Sequence, residues 1–346
     1  LPEAIIDLTG STITATGDVT LSATAFVDIS ATPLDIGGVV DVSILTILPV
    51  AAVTLNNSIL TAANLEAEAI VDVTAAFEDT ADGTDNVSSA DAAVTVVILI
   101  SNSATEVLGT SVLSVSGTVA LNATTTLDVT STADGSAGTA GGTLAVTEIQ
   151  AYTSTYLTDS ASIIANGGDT PDSVAMGSTL TSKIVTTATS TTGGADDGSG
   201  NKSEDRLADP NKDGDTSDQA STSDGSITFA AAVVVTDYRP MTEVYYDSSS
   251  SILSVGDITL TAMSTDSVTS IADGSNTSGG GVGVAVAIGI VDPTVRAFLD
   301  GSGSLTAPNI TLNATMNAGD TYSVQATSGS GAGSTSFAGS LAIGYI

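Results

Sequence analysis

The sequence contains no Cys, no His and no Trp, and only 3% of its residues are aromatic. Without Cys, a disulfide framework, a thiolate nucleophile and a cysteine-ligated zinc or iron–sulfur cluster are excluded. Without His, a Ser-His-Asp triad, an imidazole base and a histidine metal site are excluded. The 346 residues carry 39 acidic and 6 basic side chains, giving a net charge of −33, and this charge opposes binding to nucleic acid.

The acidity does not indicate disorder, because hydrophobic residues make up 42% of the chain and its mean hydropathy is +0.34. Ala, Val, Ile and Leu, mixed with Ser, Thr and 35 Gly, favour β-strands and tight turns. The longest apolar runs, 92–100 and 281–291, are shorter than the roughly 20 residues that cross a bilayer. We therefore predict fully buried strands in both runs and no membrane insertion. A first residue that is Leu, with no signal peptide after it, predicts a processed or excised piece.

A short motif recurs along the chain. It consists of a short strand, two to five linking residues and a second strand that ends in Ala, and it occupies 11–23, 58–69, 111–123, 251–262 and 304–314, with a weaker copy from Ser162. Its anchor residues are Ile13, Leu60, Leu113, Ile164, Leu253 and Leu305. Their spacings of 47, 53, 51, 89 and 52 residues indicate a repeat array.

A second motif lies between the copies of the first. It is a strongly apolar strand, a kink that often contains Pro, and another strand, and it occupies 39–55, 92–108, 142–159, 229–247 and 284–300. In a parallel β-helix each strand pairs with its equivalent about 4.8 Å away, so the inward rows are expected to be small and apolar. Asp–Gly pairs at 134–135, 273–274 and 300–301 predict corners.

The predicted fold is therefore all-β: a parallel β-helix (β-solenoid) built from about 50-residue two-coil repeats, with one inserted acidic loop. We expect a single continuous solenoid over 1–346, with modules at approximately 11–57, 58–110, 111–161, 162–250, 251–302 and 303–346. The fourth module is longer because of an insertion within 167–226. The sixth is partial, and residues 1–10 of a neighbouring copy would complete it.

The alternation of GDVTLSA-like and GVAVAIG…RAFLDGS-like segments resembles the repeats of large secreted β-solenoid adhesins of the filamentous-haemagglutinin type. The likeness covers most of the chain outside 167–226. It implies a rod-like protein that is extracellular or on the cell surface, often one segment of a longer polypeptide. It brings no catalytic residue with it.

The insertion contains a candidate calcium loop, DPNKDGDTSD at 209–218. Oxygen ligands at positions 1, 3 and 5 followed by Gly are typical of such loops, and the sequence resembles the calcium loops of dockerins. Ala220 stands where an EF-hand has its bidentate Glu. The candidate Ca²⁺ ligands are Asp209, Asn211, Asp213, Asp215 and Asp218. A solvated acidic loop that binds no ion is the alternative.

Tyr156, Tyr245 and Phe298 occupy similar positions after the kink, which favours a packing ladder, with a carbohydrate-stacking row as the alternative. Arg239 and Arg296 lie near Pro at related kinks, which favours a structural role. A polysaccharide-cleaving β-helix needs Lys or Arg beside clustered carboxylates, and a glycosidase needs a carboxylate pair. The shortage of basic and aromatic residues favours a protein that is not an enzyme.

We therefore predict a non-catalytic structural protein, a β-solenoid rod within a cell-surface fibre. The last residues, 340–346, stop inside the second motif, and 1–7 resemble its remainder. Because an exposed end of a β-helix is an unpaired strand edge, the complementary ends predict head-to-tail stacking of copies or a longer array. The alternative is an adhesin that contacts cells or glycans through the inserted loop or a solenoid face.

Overall fold

The structure is a computed structural model that describes residues 2–31, 40–80, 92–135, 142–164, 170–190, 221–222, 225–226, 228–249, 251–275, 281–330 and 336–346. Within these ranges the regular elements are all β-strands, and there is no helix that could span a membrane. Three parallel sheets extend along the molecule. This arrangement confirms the predicted all-β parallel β-helix.

Sheet A contains the Pro-kinked motif, and its neighbouring strands belong to successive modules. Two of its rungs are split at a proline, so that two short strands together occupy the length of one long strand. Its strands are β1 (Glu3–Thr9), β4 (Val40–Ile47), β5 (Val50–Asn56), β8 (Ala92–Leu108), β11 (Gly142–Asp159), β16 (Thr228–Ser248), β19 (Gly281–Val291), β20 (Thr294–Asp300) and β24 (Phe337–Tyr345).

Sheets B and C contain the two strands of the shorter motif. Sheet B consists of β2 (Thr12–Thr14), β6 (Ile59–Ala62), β9 (Val112–Val115), β12 (Ser162–Ile164), β17 (Ser251–Leu253) and β21 (Ser304–Thr306). Sheet C consists of β3 (Val19–Ala31), β7 (Leu65–Thr80), β10 (Thr118–Asp134), β13 (Ser173–Thr189), β18 (Ile258–Ser275), β22 (Ile310–Met316) and β23 (Thr321–Gly329). A short antiparallel pair, β14 (Ser221–Thr222) and β15 (Gly225–Ser226), lies outside these sheets.

Each module forms one coil of the solenoid. Glu3 lies opposite Val50, and Val50 lies opposite Asn102, so sheet partners are about 50 residues apart in sequence, except across the longer fourth module, where Gly142 lies opposite Ala231. Within one module the chain passes along sheet A, through sheet B and back along sheet C. The prediction of two coils per module is wrong because the long sides of a coil are strands of 17 and 18 residues, and the proline kink does not turn the chain onto a new face.

Sheets A and C pack directly against each other, and their core is thin. Thr155 donates a hydrogen bond across it to the carbonyl of Gly177 at 2.7 Å, and Ser178 donates to the carbonyl of Glu243 at 2.6 Å. Side chains as short as these reach the opposite backbone only where two sheets approach closely. The inward rows therefore contain Ser and Thr besides the small apolar residues that the sequence predicts.

In sheet B, two of the anchor residues predicted from the sequence are wrong. Its inward column is fully apolar and consists of Ile13, Leu60, Leu113, Ile163, Ile252 and Leu305. The sequence anchors Ile164 and Leu253 are each one residue off this column, and they are 41% and 39% exposed. A slip of one residue moves a side chain to the other face of a strand, so the buried neighbours are the equivalent positions.

The two apolar runs are only half buried. In β8, Val97 and Leu99 face the core, whereas Ile100 faces outward and is 39% exposed. In β19, Ala285 and Ala287 are buried, while Val286 between them points away from the core and is half-buried. The prediction of fully buried strands is therefore wrong for alternate residues, because sheet A packs on sheet C with one of its faces only.

Candidate functional site

The outer surface of sheet A carries a row of stacked aromatic rings. Tyr156, Tyr245 and Phe298 are successive register partners. Their ring centroids are 4.8 Å apart in both pairs, with interplanar angles of 4° and 11°. The packing ladder predicted from the sequence is therefore present. Because Tyr245 has a ring on each face, a sugar has access only to its edge.

Acidic residues and an arginine extend this aromatic ladder. Glu106 lies in the same column and accepts a hydrogen bond from the Tyr156 hydroxyl. Burial, followed by the hydrogen bond and charge of Glu106, raises the pKa of Tyr156. Arg296 pairs with the buried Glu243, and its guanidinium carbon lies 5.6 Å from the centroid of Phe298. The cluster fixes the rings to their neighbouring strands.

Removing the central ring of the ladder is expected to destabilise the fold. Tyr245→Ala eliminates both stacking contacts, each worth about 0.5–1.5 kcal/mol beyond area burial, so we expect a loss of about 1–3 kcal/mol in the free energy of unfolding. Urea denaturation followed by circular dichroism measures the change. Tyr152→Ala is the matched control, because Tyr152 also faces outward but stacks on none of the described rings. Equal losses in the two variants would contradict the role of stacking.

The three basic residues of the described ranges are all ion-paired. Arg239 donates to both carboxylate oxygens of Asp237, at 2.8 and 3.0 Å. Lys183 lies 3.3 Å from Asp128 on the outer face of sheet C. Exposed pairs of this kind contribute only about 0–1 kcal/mol each. The contacts of Arg239 and Arg296 are consistent with the structural role predicted for both.

A polar cluster lies inside the solenoid near its last coils. The carboxylate of Asp266, which is 1% exposed, accepts hydrogen bonds from Ser182 at 2.7 Å, Tyr238 at 2.5 Å and Ser264 at 2.6 Å. Ser182 and Ser264 belong to sheet C, and Tyr238 reaches across from sheet A. Three hydroxyl donors offset the cost of burying the carboxylate. The sequence pattern alone does not reveal this cluster, although the alternation of β18 places Asp266 in its inward row.

Two tyrosines near this cluster have shifted pKa values. Burial, followed by the charge of Asp266, raises the pKa of Tyr238 well above 10. Burial and the charges of Asp266 and Asp320 also raise the pKa of Tyr322. Among the described residues, the buried Tyr322 hydroxyl has no hydrogen-bond partner.

These shifts predict loss of stability at alkaline pH. Because the folded-state pKa values exceed the unfolded value of about 10, the stabilisation is fully present below pH 10 and is lost as the pH rises above it. We expect the tyrosinate absorbance of the buried Tyr238 and Tyr322 hydroxyl groups to appear together with unfolding in an alkaline titration. Ionisation of all seven tyrosines near pH 10 in a chain that stays folded would contradict this expectation.

A cavity of about 220 Å³ lies between sheets A and C at the last coil. Its walls include the inward-facing Val268, Gly289, Val291 and Val324, together with Tyr322. Ile346 also lines it. The walls are mainly apolar, which suits an apolar side chain better than a charged ligand.

The predicted calcium ligands Asp209, Asn211, Asp213, Asp215 and Asp218 lie outside the described residues, so the Ca²⁺ site stays a prediction. Within the described ranges, no group of three or more Asp and Glu side chains is arranged to hold a metal ion.

In comparisons with known proteins, no family model, curated protein or solved structure matches this chain. The resemblance to secreted β-solenoid adhesins stays a prediction from the repeat pattern.

Proposed function

We propose that this protein is a non-catalytic structural rod of an extracellular or cell-surface fibre, and that copies stack end to end. The observation that carries the proposal is the register of two half-strands of sheet A, β1 and β24. Each is only about half as long as the full rungs β8 and β11. Together they have the length of one full rung.

The two half-strands occupy different halves of the rung. Tyr345 lies opposite Ile290, so β24 covers the first half of its coil. Glu3 belongs to the same column as Thr294, the first residue of β20, so β1 covers the second half of its coil's sheet A rung. The two half-strands therefore leave complementary halves of their rungs unpaired, on either side of the columns of residues 291–293. With β24 placed before β1, Pro2 falls in the column of Pro293, where the other split rung also has its proline.

The other sheets continue in the same register. In sheet C, the inward column that ends at Ile310 begins at Val19, and all its members are apolar. In sheet B, the column that ends at Leu305 begins at Ile13. When a second copy stacks in this register, its inward-facing Leu45 lies over the cavity at the last coil of the first copy. Stacking therefore requires no change of fold and buries apolar side chains at every sheet.

The acidic surface is compatible with this role. High net charge keeps a repetitive β-protein soluble, and acidic side chains on a rod attract divalent cations. The extracellular location rests on the resemblance of the repeats to secreted solenoid proteins.

Electron microscopy of the purified 346-residue chain tests the proposal, with filaments longer than one copy as the expected result. The Pro2 carbonyl accepts a hydrogen bond from the Val50 N–H at 3.0 Å, and the Gly10 N–H donates to the Asn56 carbonyl at 2.9 Å, so even-numbered residues of β1 point their backbone groups toward β5. Because these directions alternate along a strand in a parallel sheet, the backbone groups of Ile5 point to the open edge of β1. Ile5→Pro therefore removes an edge donor without removing a hydrogen bond of the fold, and it is expected to abolish filaments.

Ile5→Ala, which keeps the edge donor, is the matched control and is expected to form filaments. Wild-type particles that remain single rods of one length at high protein concentration would contradict end-to-end stacking. Filaments formed equally by Ile5→Pro would also count against it.

A further inference from the structure

The outer face of sheet A carries an unbroken apolar stripe along the whole rod. Two adjacent outward columns contain only Val, Ile and Leu in all six rungs. We call these two columns the outer stripe. The first column is Val42, Val94, Leu144, Val233, Val286 and Leu341, and the second is Ile44, Val96, Val146, Val235, Ile288 and Ile343.

The outer stripe is accessible to a partner. Ile44 is 66% exposed and Leu341 is 51% exposed, while the members on inner rungs are half-buried by their neighbours. The outer face of sheet C has a different composition, because positions such as Thr126 and Thr181 make its central columns rich in Thr. A solvated sheet face is normally polar, and a contiguous apolar patch on a surface indicates an interaction site.

We infer that the outer stripe pairs two copies of this chain side by side, face to face, with their rods parallel. Six strands about 4.8 Å apart, each with two outward residues about 7 Å apart, give a contact of about 500–600 Å² per copy including margins. The pair then buries about 1,100 Å², which is above the roughly 1,000 Å² expected of a biological interface.

Charge and composition favour a second copy of the chain as the partner of the outer stripe, over a membrane surface or the segment 191–226. The outer stripe itself has no charged residue, so two copies bring no charges together at its centre. A net charge of −33 repels an anionic membrane surface. The segment 191–226 of the same chain has a single large apolar residue, Leu207, and is chemically unsuited to cover twelve apolar side chains.

Charge also selects the orientation. The next column on one side of the stripe contains Glu148 and Asp237. With a two-fold axis along the strands, Glu148 of one copy would face Asp237 of the other, so four carboxylates would gather around only two Arg239 guanidinium groups. With the axis along the rod, this column faces the partner's column of Gly142 and Ala231, which is uncharged. The parallel arrangement is therefore the favoured one.

Analytical ultracentrifugation of the Ile5→Pro chain tests this inference, because that variant blocks the rod ends and separates side-by-side pairing from end-to-end stacking. We expect dimers at micromolar concentration in 0.5 M NaCl. Val146→Lys with Val235→Lys is expected to weaken dimerisation at least tenfold. Thr126→Lys with Thr181→Lys, the same charge change on the outer face of sheet C, is the matched control and is expected to dimerise normally.

Cysteine cross-linking tests the orientation, since the chain has no Cys of its own. Ile44→Cys is expected to cross-link with itself through a short bismaleimide. In antiparallel rods, two such residues would be about 24 Å apart, and Ile44→Cys would cross-link only with Ile343→Cys. That result would overturn the parallel arrangement. A monomeric chain, equal dimerisation of the stripe variant, or a chain that binds neutral lipid vesicles in place of itself would overturn the pairing.

Discussion

Asp266→Ala is expected to destabilise the last coils by about 3 kcal/mol. The substitution removes the acceptor of three buried hydroxyl groups, and hydrogen bonds to a charged group are worth about 1.5–3 kcal/mol each. Removal of the desolvated carboxylate offsets part of this loss. The urea midpoint of the full chain, followed by circular dichroism, measures the effect. Asp266→Asn keeps one acceptor oxygen and is expected to lose less.

The matched control for this prediction is Asp128→Ala. Asp128 is also in sheet C, but it faces outward and pairs with Lys183 at 3.3 Å, with 47% of its side chain exposed. Its loss is expected to change the free energy of unfolding by less than about 1 kcal/mol. An Asp266→Ala chain that is as stable as Asp128→Ala would show that the interior cluster contributes nothing.

Gly274→Val is expected to destabilise the fold by about 3 kcal/mol, because Gly274 lies where sheet C meets sheet A. A Cβ atom at this position would be 1.9 Å from the carbonyl oxygen of Val284 and 3.3 Å from the amide nitrogen of Ala232. Both contacts are backbone atoms of sheet A, so no side-chain rotation relieves them, and the two sheets must separate. Overpacking of this kind costs about 1–3 kcal/mol or more. Thermal unfolding measures the change.

Gly17 provides the control, because a Cβ atom there has no neighbour within 4 Å. Gly17→Val is expected to change stability by no more than about 0.5 kcal/mol. If Gly274→Val unfolds at the same temperature as Gly17→Val, the sheets do not make the close approach described here.

The repeat spacing was sufficient to predict the parallel solenoid and the stacking of Tyr245 between Tyr156 and Phe298. Both follow from period alone, because equivalent residues of successive coils become neighbours in any parallel solenoid. The number of coils per module did not follow, because a proline kink in a long strand has the same sequence signature as a corner. Asp273–Gly274, which the sequence suggests as a corner, lies inside β18, two residues from its end.

The interior cluster and the outer stripe could not be predicted from the sequence, for a different reason. The alternation within β18 places Asp266 inward, but its partner Tyr238 comes from the opposite sheet, and sequence spacing does not specify which rows face each other. The outer stripe is made of the same Val and Ile residues that predict buried strands. Which half of an apolar run faces outward depends on where the second sheet packs, and this is a property of the tertiary structure.

The one-coil-per-module architecture has a consequence for how the chain folds. Pairings between successive coils join residues about 50 positions apart, or 84 to 89 across the fourth module, so the first two coils to associate must close a loop of at least about 50 residues before any pairing stabilises them. Each later coil adds to an edge that already exists, and it contacts only its neighbour. Nucleation therefore limits the folding rate, and growth then proceeds coil by coil from whichever pair forms first. The length of the rod affects the duration of growth and leaves the nucleation barrier unchanged.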